Sequence, residues 1–491
     1  MAVVETRSQT LLAVDPQPTY TLSPWLYMQF MEPLGATDAS VEAGWDLEAG
    51  AWRPDLLTAA RALRPTLIRW PGGIFSSYYR WREGVGPRAG RTPIANMFWG
   101  GLESNQVGTH EFIELCRAVG AEPLIAVNFE ADGRARLAHS RYGGERAAGP
   151  SEAAAWVRYC NAPEHPERRA HGAAEPFDVR LWQIGNETSY DPTGFDAATS
   201  AARTRAFAQA MRAADPRLRL IGWGDSGWAR TMLAEAGDQL DYLAFHHHFN
   251  SGLEHSPLRW DDFRVDPGRT WQHLMHACHS TEARLQAMRA EVAGSAVGLA
   301  LTESHFALPG RNRCDVLTTW AAGVANARIL NVHARHADVL KIATLADFFG
   351  TRWMNNAILL PTPAGSAPAY LLPVALVMAL FRAHTGERAV TVEHAPAGLD
   401  ITASRAGGRL YLHVVNTQAN QPVPAQFAAG DQAIAGGRVY EIAADPMEVV
   451  TPHNGSDFAT TEYALEPGQT DWLFPAASVS AVELDLADPA P

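Results

Sequence analysis

Along the first three quarters of the chain, apolar positions gather into short, almost continuous runs. Between the runs lie longer stretches where apolar residues recur every three or four positions. Eight runs stand out, at residues 25–30, 66–70, 123–129, 180–187, 218–225, 241–249, 297–304 and 338–347. Short apolar runs bounded by polar turns read as strands buried on both faces, the mark of a parallel sheet. The intervening segments have helical period; in 199–215, Ala202, Phe207 and Met211 share one face. Eight strand–helix units predict an α/β fold, a (β/α)8 TIM barrel spanning residues 21–385. A doubly wound open sheet is the alternative, but no GxGxxG fingerprint follows an early strand. Residues 131–175, rich in Gly, Ala and Arg, read as an extended loop. The apolar run 371–381 reads as a buried helix, because it falls short of the ~18 residues of a membrane span.

From about Gly386 the pattern changes to short β-rich runs, at 389–393, 409–416, 438–444, 460–465 and 479–486, separated by turn pairs such as Gly407-Gly408 and Pro467-Gly468. This predicts an all-β, jelly-roll-like sandwich over residues 386–491. Residues 1–20 contain strand-like stretches at 3–8 and 11–15, expected to join that sandwich from the other end of the chain.

Charge narrows the function. The formal net charge is −13, which disfavours nucleic acid and anionic membranes as partners. The four cysteines, Cys116, Cys160, Cys278 and Cys314, form no CxxC pair and suggest neither a zinc cage nor a redox motif. No cofactor is expected. The first residues lack the long apolar core of a signal peptide, so a cytoplasmic location is expected.

In a barrel of this kind, chemistry sits at the C-terminal ends of the strands. The polar residues that close or follow the apolar runs are Glu32, Arg69, Asn128, Asn186, Glu187, Asp225, His246, His248, Glu303 and His305. Glu187 and Glu303 close the fourth and seventh runs, and two carboxyls with opposed protonation states are what glycosidic cleavage requires. Either glutamate alone is as easily a helix cap or an ion-pair partner. Of His246, His247 and His248, only the first and last share a strand face, and no third ligand stands at a metal-binding spacing, so no metal site is expected. Ser226 lacks the GxSxG elbow of a serine hydrolase. Trp70 and Trp182 read as core, whereas Trp99 lies in the polar stretch 97–105 and fits either a core or a sugar-facing role.

Several stretches together resemble glycoside hydrolase family 51, the retaining α-L-arabinofuranosidases. They are residues 69–91 after the second strand, 109–128 around the third, 171–187 with its Asn186-Glu187 pair, 299–305 around Glu303, and 330–347 with 474–484 near the end. The resemblance implies an exo-acting α-L-arabinofuranosidase. Glu187 would be its acid/base and Glu303 its nucleophile. Asn186 would bond the hydroxyl beside the anomeric carbon and Glu32 would hold other hydroxyls. Arg69 and His246 would flank the nucleophile, with Ile74, Trp99 and His248 completing the sugar pocket. It also implies a homo-oligomer, commonly a hexamer. The chain departs from the family at Ile74, where Cys or Asn is usual, at His248 for Tyr, and at Ser304-His305 where Trp usually follows the nucleophile. Residues 131–148 look inserted. Another furanosidase, a β-xylosidase or β-glucanase specificity, an inactive carbohydrate-binding relative, and a metal-dependent hydrolase using the histidines are the alternatives.

Overall fold

The computed structural model describes residues 10–140, 144–310 and 313–487. Among the described residues, eight parallel strands form the first half. Barrel strands one to seven are Met28–Phe30, Leu67–Trp70, Glu122–Val127, Leu181–Ile184, Arg219–Trp223, Tyr242–Phe249 and Gly298–Phe306. Each pairs in parallel with the next. Barrel strand eight comes in two pieces. Leu340–Ala343 pairs with strand seven, and Asp347–Gly350 pairs with strand one, which closes the ring. Side chains alternate across each strand. Met28, Leu67, Leu124, Leu181, Ile221, Ala244, Ala300 and Ile342 fill the interior, so the barrel is a packed core rather than a pore.

The outward faces pack against helices, among them Pro54–Leu63, Thr109–Val119, Ala197–Ala214, Cys278–Val292, Trp320–Arg335 and Pro373–Ala383. Local chemistry sets their ends. Asp196 accepts from the Thr199 N–H at one start, and Gly120 stops Thr109–Val119 in a left-handed turn with φ 76°. Residues 131–175 are not one extended loop. They contain the helix Pro150–Asn161, begun by proline at its first position and burying Ala153, Ala154, Trp156, Val157 and Cys160. Alanine and arginine are good helix formers, and the Gly-rich flanks had masked that. Trp156 stacks on Trp81 (5.9 Å between ring centres, 4° between planes) and meets Trp182 edge-on, so Trp70 and Trp182 are core. Such pairs add about 0.5–1.5 kcal/mol each beyond burial.

Among the described residues, nine strands form the second half: Leu11–Asp15, Arg388–His394, Leu399–Ala406, Arg409–Asn416, Val423–Ala428, Ile434–Ile442, Thr461–Leu465, Asp471–Phe474 and Val479–Leu486. Arg388–His394 passes from one layer to the other. Its first residues pair with Leu399–Ala406, and its last with Leu11–Asp15. Leu11–Asp15 also runs parallel to Val423–Ala428, so an N-terminal strand lies among C-terminal ones. Leu12, Val14, Leu412, Phe427, Val439, Phe474 and Val482 fill the space between the layers. The strand-like stretch at 3–8 lies outside the described residues. Trp320–Arg335 joins the two halves: Asp400 receives Arg328 (3.1 Å) and Arg335 (2.8 Å), and the Trp320 indole N–H donates to the Ala477 carbonyl (2.7 Å). Among the described residues, no helix is long and apolar enough to cross a membrane.

Candidate active site

Glu187 stands just past barrel strand four. Gly185 (φ 83°) and Glu187 itself (φ 50°) take the left-handed conformation, which costs an L residue about 1–2 kcal/mol. The stretch after strand three holds this turn in place. Asp132 accepts from the Thr188 hydroxyl (2.6 Å) and the Asn186 N–H (3.3 Å), and the buried Arg134 guanidinium donates to the Glu187 carbonyl. Part of the segment that looked inserted in the sequence therefore supports the end of strand four.

Glu303 owes its aim to an irregularity in strand seven. Ala300 faces the interior, and strict alternation would send residue 303 outward with Leu299 and Leu301. The register between strands six and seven slips at this point: Phe245 pairs with Leu301, but His246 pairs with Glu303. The extra residue, Thr302, reverses the alternation and turns Glu303 toward the barrel mouth. His246 then lies between the two glutamates, with Nδ1 3.0 Å from Glu187 Oε1 and 3.5 Å from Glu303 Oε2. One oxygen from each glutamate and one His246 nitrogen all lie within 4.8 Å of one another.

The electrostatic settings of the two carboxyls differ. Arg69, wholly buried on strand two, places Nη1 2.8 Å from Glu303 Oε1 and Nη2 2.5 Å from Asn186 Oδ1. The Asn186 Nδ2 has no hydrogen-bond partner among the described residues. Burial pushes Glu187 above the usual carboxylate range, opposed by His248, Arg134 and Arg69. Burial drives His246 down to about 3, so its ring is neutral. Its Nδ1 faces both carboxyls, and its Nε2 lies 3.1 Å from Thr302 Oγ1. Asp225 fixes the histidine's backbone by accepting from its N–H (3.1 Å), and is itself held by Tyr190 (2.7 Å) and Arg284.

Glu32 sits across the mouth. Its carboxyl accepts from the Trp99 indole N–H at 2.7 Å. Burial, and after it the nearby Glu303, hold Glu32 well above its ordinary value. A Cβ on Gly73 (φ 55°) would come within 1.9 Å of that carboxyl, so only glycine fits there. Trp99 is half-buried and meets Trp353 edge-on at 5.5 Å. His248 Nε2 lies 3.9 Å from Glu303 Oε2, and its ring stacks on His305 at 4.5 Å. Ile74 is buried at the start of the turn Ile74–Tyr78, within the main hydrophobic core.

Other candidates are placed elsewhere. Asn128 ties down loops, donating to the Tyr79 and Arg146 carbonyls. Ser226 bonds the Ser189 hydroxyl (2.9 Å) and His247 faces Ser280 (3.2 Å), away from the glutamates. Asp132, Arg134, Thr302, Asp347 and Trp353 were not singled out in the sequence. The aspartate ending the eighth run was an available signal, whereas the burial of Arg134 leaves no mark in the sequence. Glu187, His246 and Glu303 are also a set that could hold a metal ion, which linear spacing could not reveal because each comes from a different strand. An ion there would share Glu303 with the Arg69 guanidinium.

Comparison with known proteins follows the same lines. Residues 59–264 match the family model described as Alpha-L-arabinofuranosidase 1 domain, a stretch that holds Arg69, Glu187 and His246 and stops before Glu303. A probable alpha-L-arabinofuranosidase C of Aspergillus niger is 34% identical over 218 residues, 42% of this chain and 40% of that protein. An intracellular exo-alpha-(1->5)-L-arabinofuranosidase of Acetivibrio thermocellus is 31% identical over 243 residues, 46% of this chain and 45% of that protein. The matched stretches thus span less than half the length of these relatives. The solved alpha-L-arabinofuranosidase of Thermotoga maritima, in complex with arabinose, superposes with TM-score 0.79 at 24% identity, covering 97% of this chain and all (100%) of that one. The family 51 enzyme of Thermotoga petrophila gives 0.78 at 24%, covering 97% of this chain and 100% of that one. The fold is therefore a (β/α)8 barrel joined to a β-sandwich, and the likeness to glycoside hydrolase family 51 extends from sequence to architecture.

Proposed function

We propose that this chain is a retaining exo-α-L-arabinofuranosidase of glycoside hydrolase family 51, releasing arabinofuranose from oligosaccharides through a covalent glycosyl-enzyme. The observation that carries the reading is the pair of carboxyls at the ends of strands four and seven, with oxygens within 4.8 Å of each other. Retaining glycosidases hold the two groups about 5–5.5 Å apart, too close for a water to attack from between them.

Glu303, ion-paired with Arg69, attacks the anomeric carbon while Glu187, whose hold on its proton burial strengthens, gives that proton to the departing oxygen. Glu187, now ionised, then takes a proton from the water that releases the sugar. The Asn186 Nδ2, without a partner among the described residues, would bond the hydroxyl beside the anomeric carbon. Glu32 with Trp99 holds the far side of the ring. Neutral His246 touches both carboxyls without adding a charge between them. The division into a sandwich strand at 1–20, a barrel at 21–385 and a sandwich at 386–491, a cytoplasmic location and a homo-oligomer belong to the same proposal. Residues 11–15 within the sandwich sheets support the first of these.

The test is hydrolysis of an aryl α-L-arabinofuranoside. Wild-type turnover with retained anomeric configuration is expected, and Glu303→Ala should lower kcat by about 10³-fold or more. Glu187→Ala should lose most activity and regain part with azide. Turnover should survive a chelator; its loss would favour a metal held by Glu187, His246 and Glu303. A second specificity, for another furanoside or a β-linked pyranoside, draws support from the altered wall at Ile74 and His248. It predicts that a different aryl glycoside is the best substrate.

A further inference from the structure

A cavity of about 740 Å³ lies where the barrel meets the sandwich, beside residues that precede barrel strand one. It is thus at the opposite end of that strand from Glu32. Its walls come from both halves: residues 19–27, the C-terminal ends of helices Trp320–Arg335 and Pro373–Ala383, and strands Arg388–His394 and Leu399–Ala406. Backbone bonds hold the first of these in place. The Thr19 N–H donates to the Ala389 carbonyl (2.8 Å), the Ala389 N–H to the Tyr20 carbonyl (2.8 Å), and the Leu22 N–H to the Glu387 carbonyl (2.9 Å). The volume falls within the range of about 300–1,000 Å³ usual for small-molecule sites.

The wall chemistry narrows the ligand. Leu22, Leu26, Val390, Val392, Ile401 and Ala403 supply apolar surface. Several polar side chains of the wall are spent on the protein itself. The Tyr20 hydroxyl donates to the Ala334 carbonyl (3.0 Å), Ser404 Oγ accepts from the Gly386 N–H (2.8 Å), and Thr402 Oγ1 bonds Asn331 (2.9 Å). Arg335 pairs with Asp400 (2.8 Å), and burial holds His413 down at about 4, so its ring is neutral. Arg382 and Tyr27 differ. Among the described residues neither side chain has a hydrogen-bond or ion-pair partner, and Arg382 Nε is buried. The two are neighbours, since the Arg382 charge acts on the Tyr27 phenol. A guanidinium cannot shed its charge, so an acceptor is wanted there. Glu387, the carboxylate among the lining residues, is exposed to solvent. A dianion such as phosphate would face the carbonyl ends of two helices with one unpaired guanidinium to balance it, whereas a planar carboxylate matches one guanidinium edge.

We propose that this cavity is a second ligand site, for a small monocarboxylate with an aliphatic or aromatic body. The carboxylate bonds Arg382 and Tyr27, and the body lies on Leu22, Val390, Val392 and Ile401. Occupancy ties residues 19–27 to the sandwich and to both helix ends, so the ligand stabilises the junction of the two halves. The site stands apart from Glu187 and Glu303 and does not depend on the glycosidase reading.

Calorimetric titration of the full chain with octanoate, and with octanamide as the same body without the charge, tests it. Octanoate should bind saturably, one per chain, raise the melting temperature, and bind about 10–100-fold more tightly than octanamide. Arg382→Gln should bring octanoate down to the level of octanamide, and Tyr27→Phe should weaken it less. Thr391→Trp, at an exposed residue of the wall, should weaken both ligands. Melting without ligand should match wild type in each variant. No saturable binding to folded wild type, octanamide bound as tightly as octanoate, or a preference that survives Arg382→Gln overturns the proposal. So does a concentration-dependent dimer in sedimentation that Thr391→Trp disperses and octanoate does not, because a second copy of the chain would then cover the cavity.

Discussion

Glu187 and Glu303 are the same residue type in two different electrical settings, and the difference comes from single neighbours. Arg69 places a full charge beside Glu303, whereas Glu187 meets the edge of a neutral imidazole and the consequences of burial. A glutamate raised by burial gives up its proton as pH rises through its shifted value, so kcat/KM should fall on the alkaline side. Glu187→Gln should remove that limb along with most activity, as read from a pH profile on an activated aryl substrate. The same shifts carry a stability cost. Glu32 binds its proton more tightly folded than unfolded, so its contribution is present below the unfolded value and is lost as pH rises through the raised folded value. Glu32→Gln should therefore raise the apparent melting temperature at pH 7 by about 2 °C or more while weakening turnover. A melting temperature unchanged at pH 7 but raised at pH 4 would reverse that sign. The glutamates themselves were legible as polar ends of apolar runs. Their meeting was not: Glu303 faces the mouth only because Thr302 breaks the strand's alternation, and such a bulge leaves no trace in a pattern of apolar and polar letters.

The elements show where sequence patterns speak and where they fall silent. Barrel strands are buried on both faces, so their apolar runs are conspicuous, and all eight sequence runs contain or overlap a barrel strand. Residues 131–175 were misjudged because their helix is short, rich in Ala and Arg, and flanked by glycine. The sandwich strands Leu399–Ala406, Val423–Ala428 and Asp471–Phe474 do not stand out in the sequence, because small, polar and proline residues interrupt their apolar positions. The stretch after strand three has a checkable role. Arg134 donates to the Glu187 carbonyl from a buried position, behind the reacting atoms. Arg134→Ala should leave the left-handed turn at Glu187 underdetermined, lowering kcat about 10–100-fold with a smaller change in KM. Arg134→Lys, which keeps the charge but not the planar fork, should restore only part of it. Loss in KM alone would mean that the arginine serves binding rather than the placement of the acid.

At the scale of the whole molecule, the chain is closed at two points by contacts distant in sequence. Asp347–Gly350 seals the barrel against strand one, and the strand Leu11–Asp15 is built into the sandwich between residues from the far end. The sequence suggested the second from β-rich residues before the first barrel strand, but could not say which strands would receive them. Leu12 and Val14 are essentially unexposed, and burying each side chain contributes about 1.5–3 kcal/mol. Their strand also bonds on both sides, antiparallel to Arg388–His394 and parallel to Val423–Ala428. Removing residues 1–15 should thus uncover two strand edges and part of the sandwich core at once. The barrel's own core, carried by Met28, Leu67, Ile221 and Ile342, would be untouched. The expected result is selective: limited proteolysis should cut first within residues 388–486 of the truncated chain, at protease levels that leave the full chain whole. Cleavage spread evenly over barrel and sandwich would mean that the two halves unfold as one. The joining pairs from Asp400 to Arg328 and Arg335 would then carry the coupling, and Asp400→Ala in the full chain should separate the two transitions.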